Sequence, residues 1–294
     1  MTNLLKYFRA ELIRQDRSIA TIRNYINDVQ LFARWLEQTY DDEFEPSKIV
    51  QRDIIEYRSY LINVNVSSPA TVNRRLASLS SYFKWCLAKK HTNLNPVDGV
   101  KGIAIIDPGP KSLDTTSLRR LLREVHVHGN ARDIAILEIL AGTALRVGEL
   151  VSLKIKDIDI GELKGTVNIH IGKGRASRQV PLNVDVRKAL KVYLDIRPST
   201  TSEYLFVGQR GDYMTGSGIW RIVKKYAAMA GIDNMTVHRC RHTMLTRLVR
   251  EFNCDLATVA KISGHRDLKT LLRYAQPTQD DLAAAVEKLA FTDG

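Results

Sequence analysis

Towards its end the sequence reads TVHRCRHTMLTRLVREFNCDLATVAKISGHRDLKTLLRYAQP. It offers His238 and Arg241 one helical turn apart, then His265, then Tyr274. Upstream, AGTALRVGEL adds Arg146 and IHIGKGRASRQVPL adds Lys173. Two guanidiniums, an ammonium, two imidazoles and a phenol are the groups needed to attack a DNA phosphodiester with a side chain and without a metal. The planar fork of each Arg donates two parallel hydrogen bonds to two phosphate oxygens.

The elements that must hold these groups follow from periodicity. His238 and Arg241, at i and i+3, share one face of a helix that buries Leu245, Leu248 and Val249 on its other side. Arg146 follows the small-residue turn AGTAL and opens a new helix at RVGELVSL, a reasonable phosphate site. Glu149, three residues on, orients its guanidinium or serves the helix dipole as a first-turn acid. In TVNIHIG, Val167, Ile169 and Ile171 alternate with polar residues as in a half-buried strand, and RQVPL reads as a second. KGRAS between them is a hairpin turn, with Gly172 and Gly174 flanking Lys173. Most of the eleven tyrosines, Tyr25, Tyr82 and Tyr193 among them, fall in apolar stripes. Tyr274 instead precedes the helix-ending Pro277 on a short segment with room to move.

The N-terminal part, to about residue 102, reads as helices only. One starts at an N-cap Ser18 and carries Ile19, Ile22, Ile26, Val29, Phe32 and Leu36 at helical spacing. Another starts at Ser68 and Pro69, with the stripe Val72, Leu76, Leu79, Phe83 and Leu87. KIVQRDIIEYRSYLINV is a third, and Arg74 and Arg75, off the stripe of the second, face either water or phosphate. GIAIIDPGPKS, with Pro108, Gly109 and Pro110, is the linker.

The whole has 294 residues, 44% of them hydrophobic, enough for a core in one large or two ordinary domains. Lys and Arg total 44 against 32 acids, and the net charge of +12 favours a polyanionic partner. No stretch approaches the ~20 apolar residues of a membrane span, and the N-terminus has no signal-peptide core, so a cytoplasmic protein is expected. Cys86, Cys240 and Cys254 are odd in number and lack a Cys-x-x-Cys pair, which argues for free thiols over disulfides or structural zinc.

In combination these motifs resemble the tyrosine recombinases, the family of phage integrases, Cre and the Xer proteins. AGTALRVGEL is similar to the box around the family's first catalytic Arg, which implies Arg146. GKGRASRQVPL resembles the hairpin box and implies Lys173; HRCRHT resembles the His-x-x-Arg box and implies His238 and Arg241. ISGHRDLKTLLRYAQP resembles the last box and implies His265 and the nucleophile Tyr274. Two positions depart from the pattern: Ala144 stands where Gly is usual, and Ser263 where Leu is common.

The resemblance implies a mainly α fold. An all-helical core-binding domain (1–102) and a linker (103–112) lead to an α+β catalytic domain with a small antiparallel sheet (113–294), the two domains forming a clamp on double-stranded DNA. It implies site-specific recombination through a 3′-phosphotyrosine, in resolution or integration of DNA, with no cofactor, metal, ATP or small-molecule substrate. Tyr274 attacks phosphorus, Arg146, Arg241 and His265 stabilise the charge of the transition state, His238 supplies a base, and Lys173 protonates the leaving oxygen. The tail PTQDDLAAAVEKLAF, with Leu282, Val286 and Leu289 on one side, would dock onto a neighbouring subunit in a ring of four. At this length no additional arm-binding domain is expected. Two rivals are a type IB topoisomerase, which uses the same covalent intermediate, and a DNA-binding regulator without catalysis, which the basic charge and helices fit equally well. A metal hydrolase would use His238 and His242 at i, i+4, but Arg239 and Arg241 beside them would repel a dication.

Overall fold

The computed structural model describes residues 2–41, 43–105, 112–170, 177–208, 211–265, 267–276, 282–283 and 286–287. The chain separates into two compact units, Met1–Asp107 and Pro108–Gly294. The Pro108–Gly109–Pro110 run, Lys173 and Leu289 lie outside the described residues. Among the described residues no helix is long and apolar enough to cross a membrane.

The first unit consists of α1 (Thr2–Arg14), α2 (Ile19–Tyr40), α3 (Gln51–Asn63) and α4 (Pro69–Ala88). Ser18 and Ser68 cap α2 and α4 by accepting the backbone N–H three residues on, and Pro69 occupies the first turn, where no amide hydrogen is needed. The core is aromatic: Phe32 meets Tyr57 edge-on with centroids 5.0 Å apart, and Phe8 meets Tyr82 at 5.2 Å. The expected stripes hold except at their ends, where Ile19 is 87% exposed and Leu87 also faces water. Terminal turns project past the neighbouring helices, so periodicity overstates burial there. Arg74 is ion-paired with the fully buried Asp28, whose Oδ2 also accepts from the Ser78 hydroxyl at 2.7 Å. An internal acid thus holds the Arg offered to phosphate on sequence grounds.

The second unit begins with α5 (Thr115–His128), α6 (Ala131–Thr143) and α7 (Val147–Ser152), followed by β1 (Ile158–Ile160), β2 (Gly165–Ile169) and β3 (Arg178–Pro181). It continues with α8 (Val184–Asp195), α9 (Gly216–Met229), α10 (Val237–Arg250), α11 (Leu256–Ser263) and α12 (Lys269–Ala275). Helix α6 is apolar around most of its circumference and is the core rod, with Ala135, Ile136, Leu137, Ile139 and Leu140 all buried. The sheet is antiparallel in the order β1-β2-β3, with Val167 opposite both Ile158 and Val180. The β2–β3 pairing matches the hairpin read from sequence. β1, only three residues long, carries too few alternations to be read that way. His126 and His128 are paired with Glu138 at 2.7 Å and Glu124 at 3.5 Å.

A small separate cluster matters most for the chemistry. Ala144, Leu245, Val259, Leu271 and Tyr274 bury one another where the end of α6 meets α10, α11 and α12.

Candidate active site

Arg146 sits where the chain turns from α6 into α7. Ala144 caps α6 in the left-handed conformation (φ 52°, ψ 25°), a conformation in which its methyl is strained and a glycine would not be. The turn sets Arg146 as the extended N-cap of α7, with its side chain 43% exposed. Glu149 accepts the Arg146 backbone N–H at 2.8 Å and its guanidinium at 3.0 Å, so both readings of this acid apply together.

Arg178, on β3, completes the cluster, and the motifs did not single it out. Its two terminal nitrogens donate to the two Glu149 oxygens at 2.9 and 2.8 Å, and its Nε donates to the Ile262 carbonyl at 2.9 Å. Period-two alternation places it on the same face as buried Val180, the one signal that an Arg here points inward. Burial pushes the Glu149 carboxyl up, but the Arg178 hydrogen bonds, the Arg146 N–H and both guanidinium charges outweigh it and hold the acid below its usual range.

Helix α10 opens on the N-cap Thr236 and carries His238, Arg241 and His242. Arg241 is only 2% exposed and shares the buried face of the helix with Leu245, one turn on, not the opposite face expected from sequence. Two carbonyls make that burial tolerable: its Nη1 donates to the Ala144 oxygen and its Nη2 to the Ser263 oxygen at 2.8 Å. Burial first, then the charge of Arg146, lowers its pKa to about 10, which leaves it protonated at neutral pH.

Helix α11 stops at Gly264, whose left-handed φ of 69° suits glycine. His265 follows, its Nε2 3.4 Å from an Arg241 nitrogen and its Nδ1 2.6 Å from the Ser263 hydroxyl. That hydroxyl also lies within 3.4 Å of the Ala260 carbonyl, to which it donates. The chain of donors therefore puts the ring proton on Nδ1, with the Nε2 lone pair towards Arg241. Burial and the guanidiniums of Arg241, Arg146 and Arg178 lower the His265 pKa to about 4. Burial, then Arg241 and Arg146, also lowers that of His238.

Tyr274 lies in α12 and is 3% exposed, packed into the small cluster instead of on a segment with room to move. Leu271, one turn earlier on α12, anchors the same face. The Tyr274 hydroxyl is hydrogen-bonded to Nδ1 of His242, and the two ring centroids are 5.6 Å apart. His242 in turn meets His238 edge-on at 4.3 Å. Sequence reasoning weighed His242 only as a metal ligand. Its place beside Arg241 and one turn after His238 was the available signal.

Arg146, His238 and His265 line one cleft of about 990 Å³, together with Glu149 and His170. Arg241 lies beneath it in contact with His265, and Tyr274 is held one α10 residue away through His242. An anion in the cleft would meet the Arg146 guanidinium and the imidazoles of His238 and His265, with Arg241 just beneath, and would favour the protonated form of those two imidazoles. Among the described residues no three His, Cys, Asp or Glu side chains converge as a metal site.

Residues 111–280 match the model of the phage integrase family, and residues 4–93 match that of the phage integrase N-terminal SAM-like domain. The chain belongs to the phage integrase family, the tyrosine recombinases. The tyrosine recombinase XerD of Listeria monocytogenes is 30% identical to it over 95% of both chains. The TnP I resolvase of Bacillus thuringiensis is 27% identical, over 98% of this chain and all of its own. The structure of the XerH site-specific recombinase bound to its difH substrate in a pre-cleavage complex shares the recombinase fold. It has a TM-score of 0.71 and 22% identity over 93% of this chain and 81% of that one.

Proposed function

We propose that this recombinase binds duplex DNA at a specific site, cuts it with Tyr274 to leave a 3′-phosphotyrosine, and rejoins the strand to a different partner. A phenol with a pKa near ~10 is only about 0.1% ionised at neutral pH, so the attack needs a base and cationic surroundings. Arg146, Arg241, His238 and His265 surround the scissile phosphate, and the negative charge gained in the pentavalent transition state strengthens their hydrogen bonds. Lys173 gives its proton to the departing 5′ oxygen. The phosphotyrosine keeps the energy of the broken linkage, so neither ATP nor a metal is consumed.

The observation that carries this reading is the convergence of separate segments on one site. Arg146, His238 and His265 come from different elements yet line one cleft, and the Tyr274 hydroxyl is bonded to the residue next to Arg241. The N-terminal helical unit (1–102), joined by the linker 103–112 to the catalytic domain (113–294), contributes to DNA binding and site choice. Four copies act on two paired sites, and the segment bearing the exposed Leu282 and Val286 docks on a neighbouring subunit. The similarity to Xer recombinases and a resolvase favours resolution of circular DNA in the cytoplasm, with integration the other outcome of the same chemistry.

The test uses a duplex containing the target site with a nick beside the cut point, so that the cleaved strand diffuses away and the covalent complex accumulates. The native protein yields an adduct whose DNA-linked peptide contains Tyr274. Tyr274→Phe still retards the duplex in a gel but gives no adduct. Adduct formation by Tyr274→Phe refutes the assignment.

A further inference from the structure

We infer that His170 binds a DNA backbone phosphate next to the scissile one, and that Asp157 holds its imidazole in place for that contact. The inference rests on the reading that DNA lies in the catalytic cleft. His170 directly follows β2. Val167 and Ile169 are buried, so period-two alternation turns His170 to the outer face of the sheet, where its side chain is 65% exposed. It lines the cleft of about 990 Å³ with Arg146, His238 and His265, yet it is none of the residues that the motifs marked as catalytic. That cleft is far larger than one phosphate group. Arg146, His238 and His265, with Arg241 beneath, already supply donors for the scissile phosphate. A DNA strand brings further phosphates on either side of it, and His170 is on the wall to meet one.

The Asp157 carboxylate is buried, and an ionised carboxylate can only accept hydrogen bonds. Its Oδ2 accepts the Lys154 backbone N–H at 2.9 Å, and its Oδ1 lies 3.1 Å from His170 Nε2, so Nε2 carries the proton of that bond. The pairing fixes the ring and leaves Nδ1 for a ligand. A phosphate oxygen at Nδ1 draws a second proton onto the ring, and the imidazolium then donates to two anions at once. The other charged or titratable side chains on the cleft wall are Arg146, Glu149, His238, His265 and Asp267. Both of those acids are engaged elsewhere, Glu149 with the Arg146 and Arg178 guanidiniums and Asp267 with the Lys269 backbone N–H at 2.8 Å. Satisfying Asp157 accounts for one ring nitrogen of His170; a phosphate accounts for the other.

The salt dependence of duplex binding separates this role from a purely structural one. Affinity for a target duplex and for an unrelated duplex is measured from about 50 to about 200 mM salt, with Tyr274→Phe throughout so that nothing is cut. Each phosphate held by a cationic side chain adds about 0.9 to the steepness of log affinity against log salt. His170→Gln keeps a donor for Asp157 but carries no charge, and His170→Ala removes both. The inference expects both substitutions to lower the slope by about 0.9. Both should weaken the two duplexes by the same factor, because a phosphate contact carries no sequence information. A native slope in His170→Gln overturns it, and so does a loss confined to the target duplex, which would mark a contact to a base edge. If His170→Ala fails to fold, His170→Gln alone decides. Asp157→Asn removes an anion, which by itself would tighten DNA binding. Weaker binding is expected instead, and tighter binding overturns the positioning role of Asp157. Arg146→Ala tests the reading underneath: if its slope is also native, DNA does not lie in the cleft, whereas a lowered slope there beside a native one in His170→Gln strikes out His170 alone.

Discussion

Arg178→Ala tests whether the charge cluster behind the cleft is structural as well as electrostatic. The substitution removes two hydrogen bonds to Glu149 and one to the Ile262 carbonyl from a side chain 9% exposed, against a carboxylate 12% exposed. Stripping one partner from a buried ion pair costs roughly 3–5 kcal/mol. Glu149 retains Arg146 and a backbone N–H, which places this case at the lower end, at about 3 kcal/mol. For a unit of this size that corresponds to a drop of roughly 6–12 °C in its melting transition. Calorimetry that follows the C-terminal unit reads the loss directly. Arg178→Lys keeps a charge but not the fork, and should lose about half as much. Cleavage should slow in both, because Glu149, freed from Arg178, draws the Arg146 guanidinium away from the phosphate. A shift below about 1 kcal/mol, or equal effects of Ala and Lys, would mean that the paired fork contributes little.

The remaining prediction pair concerns pH and strain. His265 has a folded pKa of about 4, below its unfolded value, so the unfolded chain binds more protons as pH falls. The DNA-free protein should therefore lose stability from about pH 6.5 downwards to about pH 4, His265→Asn should flatten that slope, and an NMR titration placing His265 near ~6.5 would contradict the account. Ala144→Gly relieves roughly 1–2 kcal/mol of left-handed strain but gives up a buried methyl worth about 0.8 kcal/mol. A net gain of up to about 1 kcal/mol in chemical denaturation is expected, and a loss of that size would show that the methyl outweighs the strain.

Local chemistry made much of the fold readable. Ser18 and Ser68 announce their helices because a short hydroxyl before an apolar period has few other uses, and Glu149, three residues after Arg146, marks the start of α7 as a first-turn acid that accepts the N-cap backbone N–H. The β2–β3 pairing was visible because Val167 and Ile169 alternate over enough residues to define a face. What escaped depends on contacts between distant segments. Nothing near Arg241 in sequence says that the Ala144 and Ser263 carbonyls will receive it, so a charge read as surface became core. Arg178 and His242 escaped likewise, because their partners, Glu149 and Tyr274, lie 29 and 32 residues away. Tyr274 read as loosely held because Leu271, which anchors the same face of α12, meets α10 and α11 only in three dimensions.

Arg241 joins the turn before α7 to the end of α11 through two carbonyls, while its remaining donors stay near His265. Active sites commonly trade robustness for reactivity, so an inactivating substitution often makes an enzyme sturdier. Here the opposite ought to hold. A lineage that abandoned strand cutting but kept DNA binding could not simply let this guanidinium drift, since both turns would need new anchors at once. Decay of the chemistry should leave Arg241 standing longer than Tyr274 or His238, and its retention in a descendant would be poor proof that the descendant still cuts DNA.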